Sequence, residues 1–201
     1  MRNLIWTLLL TSIVISGSTS DDVCTDGLSL SCPSADQCQL SVKIGDSTPA
    51  CQTVVPLSAW STTPPSLSLT GSNCVVPDGR KVGILMTDPD APNCANPRAI
   101  YWLHWLALDA NVGEGKNLDS GNAQMISRFA PPTPPKAPEG APPFHRYQIL
   151  VFAYSGVGEK EVTKDQIHAI AKDRKNFLKS FETLFRDYSL LAQTEFRTKR
   201  D

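Results

Sequence analysis

The sequence predicts a mainly β, antiparallel domain closed by one C-terminal amphipathic helix. Short apolar runs bounded by turn clusters recur from residue 40 to residue 154, the pattern of successive strands. No helical periodicity appears before residue 160. Beyond it the period changes. Ile167, Ile170, Phe177, Leu178 and Phe181 recur among charges within residues 165–181, with Thr163 placed to cap the start. Such a helix lies on a sheet as core packing.

The N-terminus reads as a leader. Arg2 precedes an apolar run from Leu4 to Ile15, then the small residues of 16–20, as in a signal peptide. The run falls short of the roughly 20 residues that span a bilayer. Removal of residues 1–20 leaves about 180 residues, enough for one domain with a sizeable core. A net charge of −1 gives no electrostatic case for nucleic acid. Six cysteines follow the leader: Cys24, Cys32, Cys38, Cys51, Cys74 and Cys94. An even set in a secreted chain implies disulfides, and its gaps match no zinc-site spacing. Four crowd into the first part of the mature chain. Residues 21–52 therefore read as a stapled extension entering the fold, and residues 53–201 as the main domain. The crowding favours pairing of the first four among themselves and of Cys74 with Cys94. No N-glycosylation sequon is present.

Leu40, Val42 and Ile44 alternate, as do Leu67 and Leu69, and both runs read as strands. Val54, Val55 and Leu57 suggest another. The run 82–86 is a short buried strand leading into Thr87-Asp88-Pro89-Asp90-Ala91-Pro92. Proline fixes φ and removes a donor, so the two aspartates sit on a stiff turn at a strand end. Asp-Pro also serves in ordinary turns. Residues 99–108 form an aromatic-rich strand buried on both faces. Alternation puts Trp102 and His104 on one face, Leu103 and Trp105 on the other. A lone histidine there is commonly a satisfied core residue. Residues 130–143 hold seven of the 16 prolines and run directly into the strand 144–154. Such a loop reads as a stiff wall, with His145 and Tyr147 on one face at the strand's mouth. Leu190 to Phe196 returns as a last strand.

If these strands are neighbours, Asp88, Asp90, Trp102, His104, His145 and Tyr147 converge at one end of a sheet. Imidazole N–H and phenol O–H donate to phosphate-like oxygens, and a carboxylate fixes a histidine tautomer. Two histidines and a carboxylate also suit a metal or an acid–base pair. No nucleophile elbow, H-E-x-x-H or Gly-rich phosphate loop is present. Anion binding ranks first, with no catalytic role, no metal and no cofactor expected.

Three pieces in order, Asp88-Pro89-Asp90-Ala91-Pro92, Trp102-Leu103-His104-Trp105-Leu106 and His145-Arg146-Tyr147 after a proline loop, resemble the phosphatidylethanolamine-binding protein family. The likeness covers residues 40 to 196 and is strongest to the secreted, fourth-type members. It implies a large antiparallel sheet packed on a smaller one. It also implies a pocket for a phosphorylated head group (phosphate, phosphoethanolamine or phospholipid), compatible with peripheral membrane contact. The implied ligand residues are Asp88, Pro92, Trp102, His104, His145 and Tyr147. Asp90 would support the turn, and Gly140 would supply the close-approach position of the longer proline loop. His104 and His145 would donate to the anion. The family also implies regulation of a partner; the alternative for a secreted member is serine-protease inhibition through loop 130–143.

Overall fold

The structure is a computed structural model that describes residue 24 and residues 29–77, 80–93, 101–154, 169–170, 172–175, 177, 181 and 188–200. The expected leader, Cys94 and most of the expected C-terminal helix lie outside the described residues.

Two antiparallel sheets form the domain. The strands are β1 (Gln39–Lys43), β2 (Ser66–Thr70), β3 (Lys81–Asp88), β4 (Trp102–Leu108), β5 (Asn111–Val112), β6 (Asn117–Asp119), β7 (Gln124–Ser127), β8 (His145–Tyr154) and β9 (Ser189–Thr198). The smaller sheet has the order β1-β2-β6-β5, the larger the order β7-β4-β3-β8-β9. The polar–apolar alternation of β1 and β2 suits a sheet with one wet face, and Leu40, Val42, Leu67 and Leu69 point into the core. β3 instead carries a continuous apolar run, because it is the central strand of the larger sheet and both its faces are covered. Val82, Ile84 and Met86 join the core between the sheets, with Ile149, Val151, Trp105 and Phe196. Leu85 lies in a second core on the other face, with Leu103, Leu106, Phe152 and Tyr154. Each fully buried side chain of this size stabilises the fold by about 1.5–3 kcal/mol.

Ala169, Ile170, Lys172, Phe177 and Phe181 are helical where described, and Ile170, Phe177 and Phe181 are buried in the second core. Among the described residues no helix is long and apolar enough to cross a membrane.

The structure departs from the sequence pattern at three places. Residues 53–57 form no ladder strand. Val54 makes one parallel bridge to Arg197, Val55 N–H donates to the Arg197 carbonyl, and Leu57–Ala59 turn as a 3-10 helix after Pro56. In β4, Leu103 and Trp105 lie in opposite cores. The pairing jumps from Met86↔Trp105 to Thr87↔Leu103, so His104 is an extra residue and the alternation flips there. The disulfides are Cys32–Cys51 and Cys38–Cys74, and Cys24 is also disulfide-bonded. Cys38 joins Cys74 because it precedes β1 while Cys74 follows β2, and Gln39 lies opposite Thr70.

Gly83 on β3 faces the ring of Phe152 on β8, its ladder partner. A Cβ at Gly83 would stand 2.2 Å from Phe152 Cζ. The ring is held in turn by Phe181 and Tyr188, at centroid distances of 5.4 and 5.8 Å. Gly83→Ala is expected to lower stability by about 1–3 kcal/mol through overpacking. Denaturant unfolding checks this; an unchanged midpoint would show that the ring can move aside.

Candidate ligand-binding site

β4 and β8 both run antiparallel to β3, so the end of β3 meets the starts of its two neighbours. Asp88 closes β3, Trp102 and His104 open β4, and His145 and Tyr147 open β8. Together they border a cavity of about 350 Å³. Its walls are completed by Ala91 and Pro92 of the aspartate turn, by Thr133, Pro134 and Pro135 of the proline loop, and by Lys175. The Lys175 ammonium stands 6.0 Å from the centre of the Trp102 ring, within reach of a cation–π contact.

The two aspartates divide their work. Asp88 Oδ1 accepts from the Asp90 N–H at 2.7 Å and tightens the turn. Asp88 Oδ2 lies 2.8 Å from His145 Nδ1. A carboxylate accepts, so the ring hydrogen sits on Nδ1. Asp90 points the other way and does not line the cavity. Its Oδ2 accepts from the Arg146 backbone N–H at 2.8 Å and from Arg146 Nε at 2.9 Å, while Oδ1 accepts from Nη2 at 2.6 Å. Both side chains are fully buried. Their forked geometry is that of a strong, orientation-fixing pair.

The two histidines differ in charge preference. Burial works against the charged His145 ring, but the hydrogen bond and charge of Asp88, the charge of Asp90 and the Pro92 carbonyl outweigh it. Its pKa is raised. His104 Nδ1 lies 2.8 Å from the Ala130 carbonyl. Burial dominates there, helped by the Arg174 and His145 charges, and lowers its pKa despite the carbonyl and Asp88. Tyr147 packs edge-on to His104, with ring centres 5.2 Å apart. Burial, then Asp88 and Asp90, hold its phenol well above the ordinary range, so it stays protonated and able to donate or accept.

Of the eight residues expected at the site, Asp88, Pro92, Trp102, His104, His145 and Tyr147 line the cavity. Asp90 stands behind it as a buried support. Gly140 does not line it; this residue is exposed, with φ +75° in a turn and nothing within 4 Å of its Cβ position. The proline loop approaches earlier, at residues 133–135, because the Ala130 carbonyl is tied to His104 and the Ala130 N–H donates back to the His104 carbonyl at 2.9 Å. The Thr133 N–H approaches the Tyr147 hydroxyl, the place expected of Gly140. Thr133, Pro134, Pro135, Ala91 and Lys175 carried no sequence signal as wall residues beyond membership of the two loops and the charged tail. Among the described residues no group of three or more histidine, cysteine or acidic side chains is arranged to hold a metal.

The profile of the family described as "Phosphatidylethanolamine-binding protein" matches residues 36–185. This chain belongs to that family. A stretch of 72 residues is 40% identical to a fruit-fly (Drosophila melanogaster) protein described as "Putative odorant-binding protein A5", covering 36% of this chain and 30% of that one. The match thus spans under a third of that relative's length. Among solved structures, the carboxypeptidase Y inhibitor, seen with its cognate proteinase, is similar with a TM-score of 0.63 and 17% identity, over 82% of this chain and 84% of that one. A phosphatidylethanolamine-binding protein from Plasmodium vivax has a TM-score of 0.58 and 14% identity, over 83% of this chain and 88% of that one. These likenesses show the fold.

Two predictions follow from the geometry. Asp90→Asn removes the buried carboxylate that receives the Arg146 guanidinium and is expected to destabilise by about 3–5 kcal/mol in denaturant unfolding. Adding Arg146→Met should return part of the loss; no return would show that the two side chains are not coupled. In NMR titration, His145 should titrate above the ordinary 6.5 and His104 below it. A raised value means that the stabilisation from charged His145 is full below pH 6.5 and is lost as pH rises through the folded-state pKa. His104 has the opposite sign: its contribution is present above pH 6.5 and lost as pH falls. Asp88→Asn should pull the His145 value down; an unmoved value would remove Asp88 as its cause.

Proposed function

We propose that this chain is a secreted binding protein, not an enzyme, whose cavity takes a phosphorylated head group and through it regulates a partner. The observation that carries this reading is the Asp88–His145 pair facing an apolar-walled cavity. It offers a biased positive charge and a fixed tautomer beside the Tyr147 hydroxyl, with Trp102, Pro92 and Pro134 excluding water. Low local dielectric strengthens such charge-assisted bonds to an anion. Disulfides fit an oxidising compartment, and the expected leader supports secretion. The names of the Plasmodium vivax and fruit-fly relatives fit a small-ligand binder. Membership of the family supports a phospholipid-like ligand.

Thermal-shift titration tests the reading, with phosphate, phosphoethanolamine and a short-chain phospholipid as probes. A ligand that binds only the folded state raises the melting temperature. His145→Gln keeps a hydrogen-bond donor for Asp88 but removes the charge. The shift should be present in the native chain, shrink at least several-fold in the variant, and weaken as pH rises through the His145 pKa. No shift with any probe would overturn the reading.

A second reading, serine-protease inhibition through loop 130–143, has one observation in its favour: Lys136, Pro138, Glu139 and Gly140 are exposed beyond the cavity wall. The likeness to a proteinase inhibitor supports it at the level of fold. Titration against a panel of serine proteases tests it, with inhibition expected to survive His145→Gln.

A further inference from the structure

Each polar group around the cavity can be assigned a donor or acceptor role. His104 Nδ1 is 2.8 Å from the Ala130 carbonyl, an atom that can only accept. The ring hydrogen therefore sits on Nδ1, and the neutral ring turns a lone pair outward at Nε2. Among the described residues no protein group is bonded to that nitrogen, and the ring borders the cavity. The groups facing this ring are Asp88 from β3, His145 from β8 and Arg174, with Lys175 at the rim. Burial is the largest influence and favours the neutral form, and Arg174 and His145 act the same way. Both oxygens of Asp88 beside it already receive hydrogen bonds, from the Asp90 N–H and from His145 Nδ1. The His104 Nε2 lone pair is thus the acceptor open to a ligand, and the Tyr147 hydroxyl can donate, while the Nδ1–H of His145 is already given to Asp88.

We propose that this cavity selects a phosphate that keeps one P–OH group, a singly protonated monoester, over a phosphodiester. The inference rests on the head-group reading above and narrows its ligand class. An ionised diester carries only acceptors. Its oxygens would meet the His104 lone pair with no hydrogen between them, leaving that buried acceptor unpaired. A monoester supplies that hydrogen from its own P–OH, while its remaining charged oxygen faces His145. The selection is by absence of a hydrogen, the kind of discrimination a buried polar site makes well.

Methyl phosphate and dimethyl phosphate differ at this one group, and calorimetry at pH 6 compares them on the whole protein. Methyl phosphate is expected to bind at least ten-fold tighter. Its affinity should fall at least several-fold from pH 7 to pH 8, as the second ionisation near pH 6 removes the P–OH. In His104→Gln, whose amide can turn to donate, the ratio should drop to about two-fold or less; a ratio set by the size of the extra methyl would persist. Vesicles of phosphatidylcholine containing phosphatidic acid distinguish the sources: co-sedimentation assigns the monoester to a lipid, and binding of methyl phosphate alone assigns it to a soluble ester. Equal or tighter binding of dimethyl phosphate, or methyl phosphate affinity unchanged from pH 7 to pH 8, would overturn the selection and leave the head-group reading standing. Binding of neither ester at any pH tested would overturn both.

Discussion

Asp90 receives three hydrogen bonds from Arg146, one from its backbone and two from its guanidinium, with neither side chain reaching solvent. This contact ties the turn after β3 to the first residues of β8. It fixes where β3 stops and where β8 begins to present side chains. Asp88, two residues earlier, is thereby set against His145, one residue before Arg146. The two carboxylates of the turn thus meet two consecutive basic side chains, His145 and Arg146, at the start of β8. Loss of either aspartate would remove the carboxylate that receives a buried basic side chain, so the polar architecture of the site is also a stability constraint.

The N-terminal segment completes this arrangement on the other side of the larger sheet. Arg146 and Gln148 project away from the cavity, and residues 29–31 lie over them. Ser29 Oγ accepts from Arg146 at 3.3 Å, the Leu30 N–H donates to Glu195 at 2.9 Å, and Gln193 donates to the Ser31 carbonyl at 3.0 Å. Gln148 also donates to Glu195 at 3.0 Å. Burial raises the Glu195 pKa even so, against the bonds from Leu30 and Gln148. The segment is followed by the Cys32–Cys51 bridge, and Gln52 bonds back to the Leu30 carbonyl at 2.7 Å. Residues 29–31 therefore cover the buried polar side chains of β8 and β9.

Much of this was legible in the residues. The apolar run of β3, the aromatic run of β4 and the strand after the proline loop identify the three central strands, since a strand buried on both faces has little freedom in composition. Their antiparallel order then brings Asp88, His104, His145 and Tyr147 together. Four things were not legible. The bulge at His104 changes the count of residues between paired positions, which no alternation rule detects. The short strands β5 to β7 and the bridge at Val54 owe their form to neighbours, having too few residues for a period. The pairing of Cys38 with Cys74 depends on the register of β1 and β2. The loop residues that line the cavity are Thr133, Pro134 and Pro135 and not Gly140, because a carbonyl contact at Ala130 sets the loop's path. Glycine marks conformational freedom, and here that freedom is used in an exposed turn.

The bulge has a chemical consequence. It turns His104 and Trp105 toward the same side, so that the imidazole stands over Tyr147 at the cavity while the indole fills the core beneath. His104 is then close enough to the proline loop for its Nδ1 to meet a carbonyl. His145, one strand away on the far side of β3, meets a carboxylate instead. Partner type decides which way each pKa moves: the Ala130 carbonyl does not offset burial at His104, whereas the Asp88 carboxylate helps outweigh it at His145. Two residues of one type, in one cavity, are thereby shifted in opposite directions. The asymmetry follows from what each ring is tied to, the Ala130 carbonyl of the proline loop for His104 and the carboxylate at the end of β3 for His145.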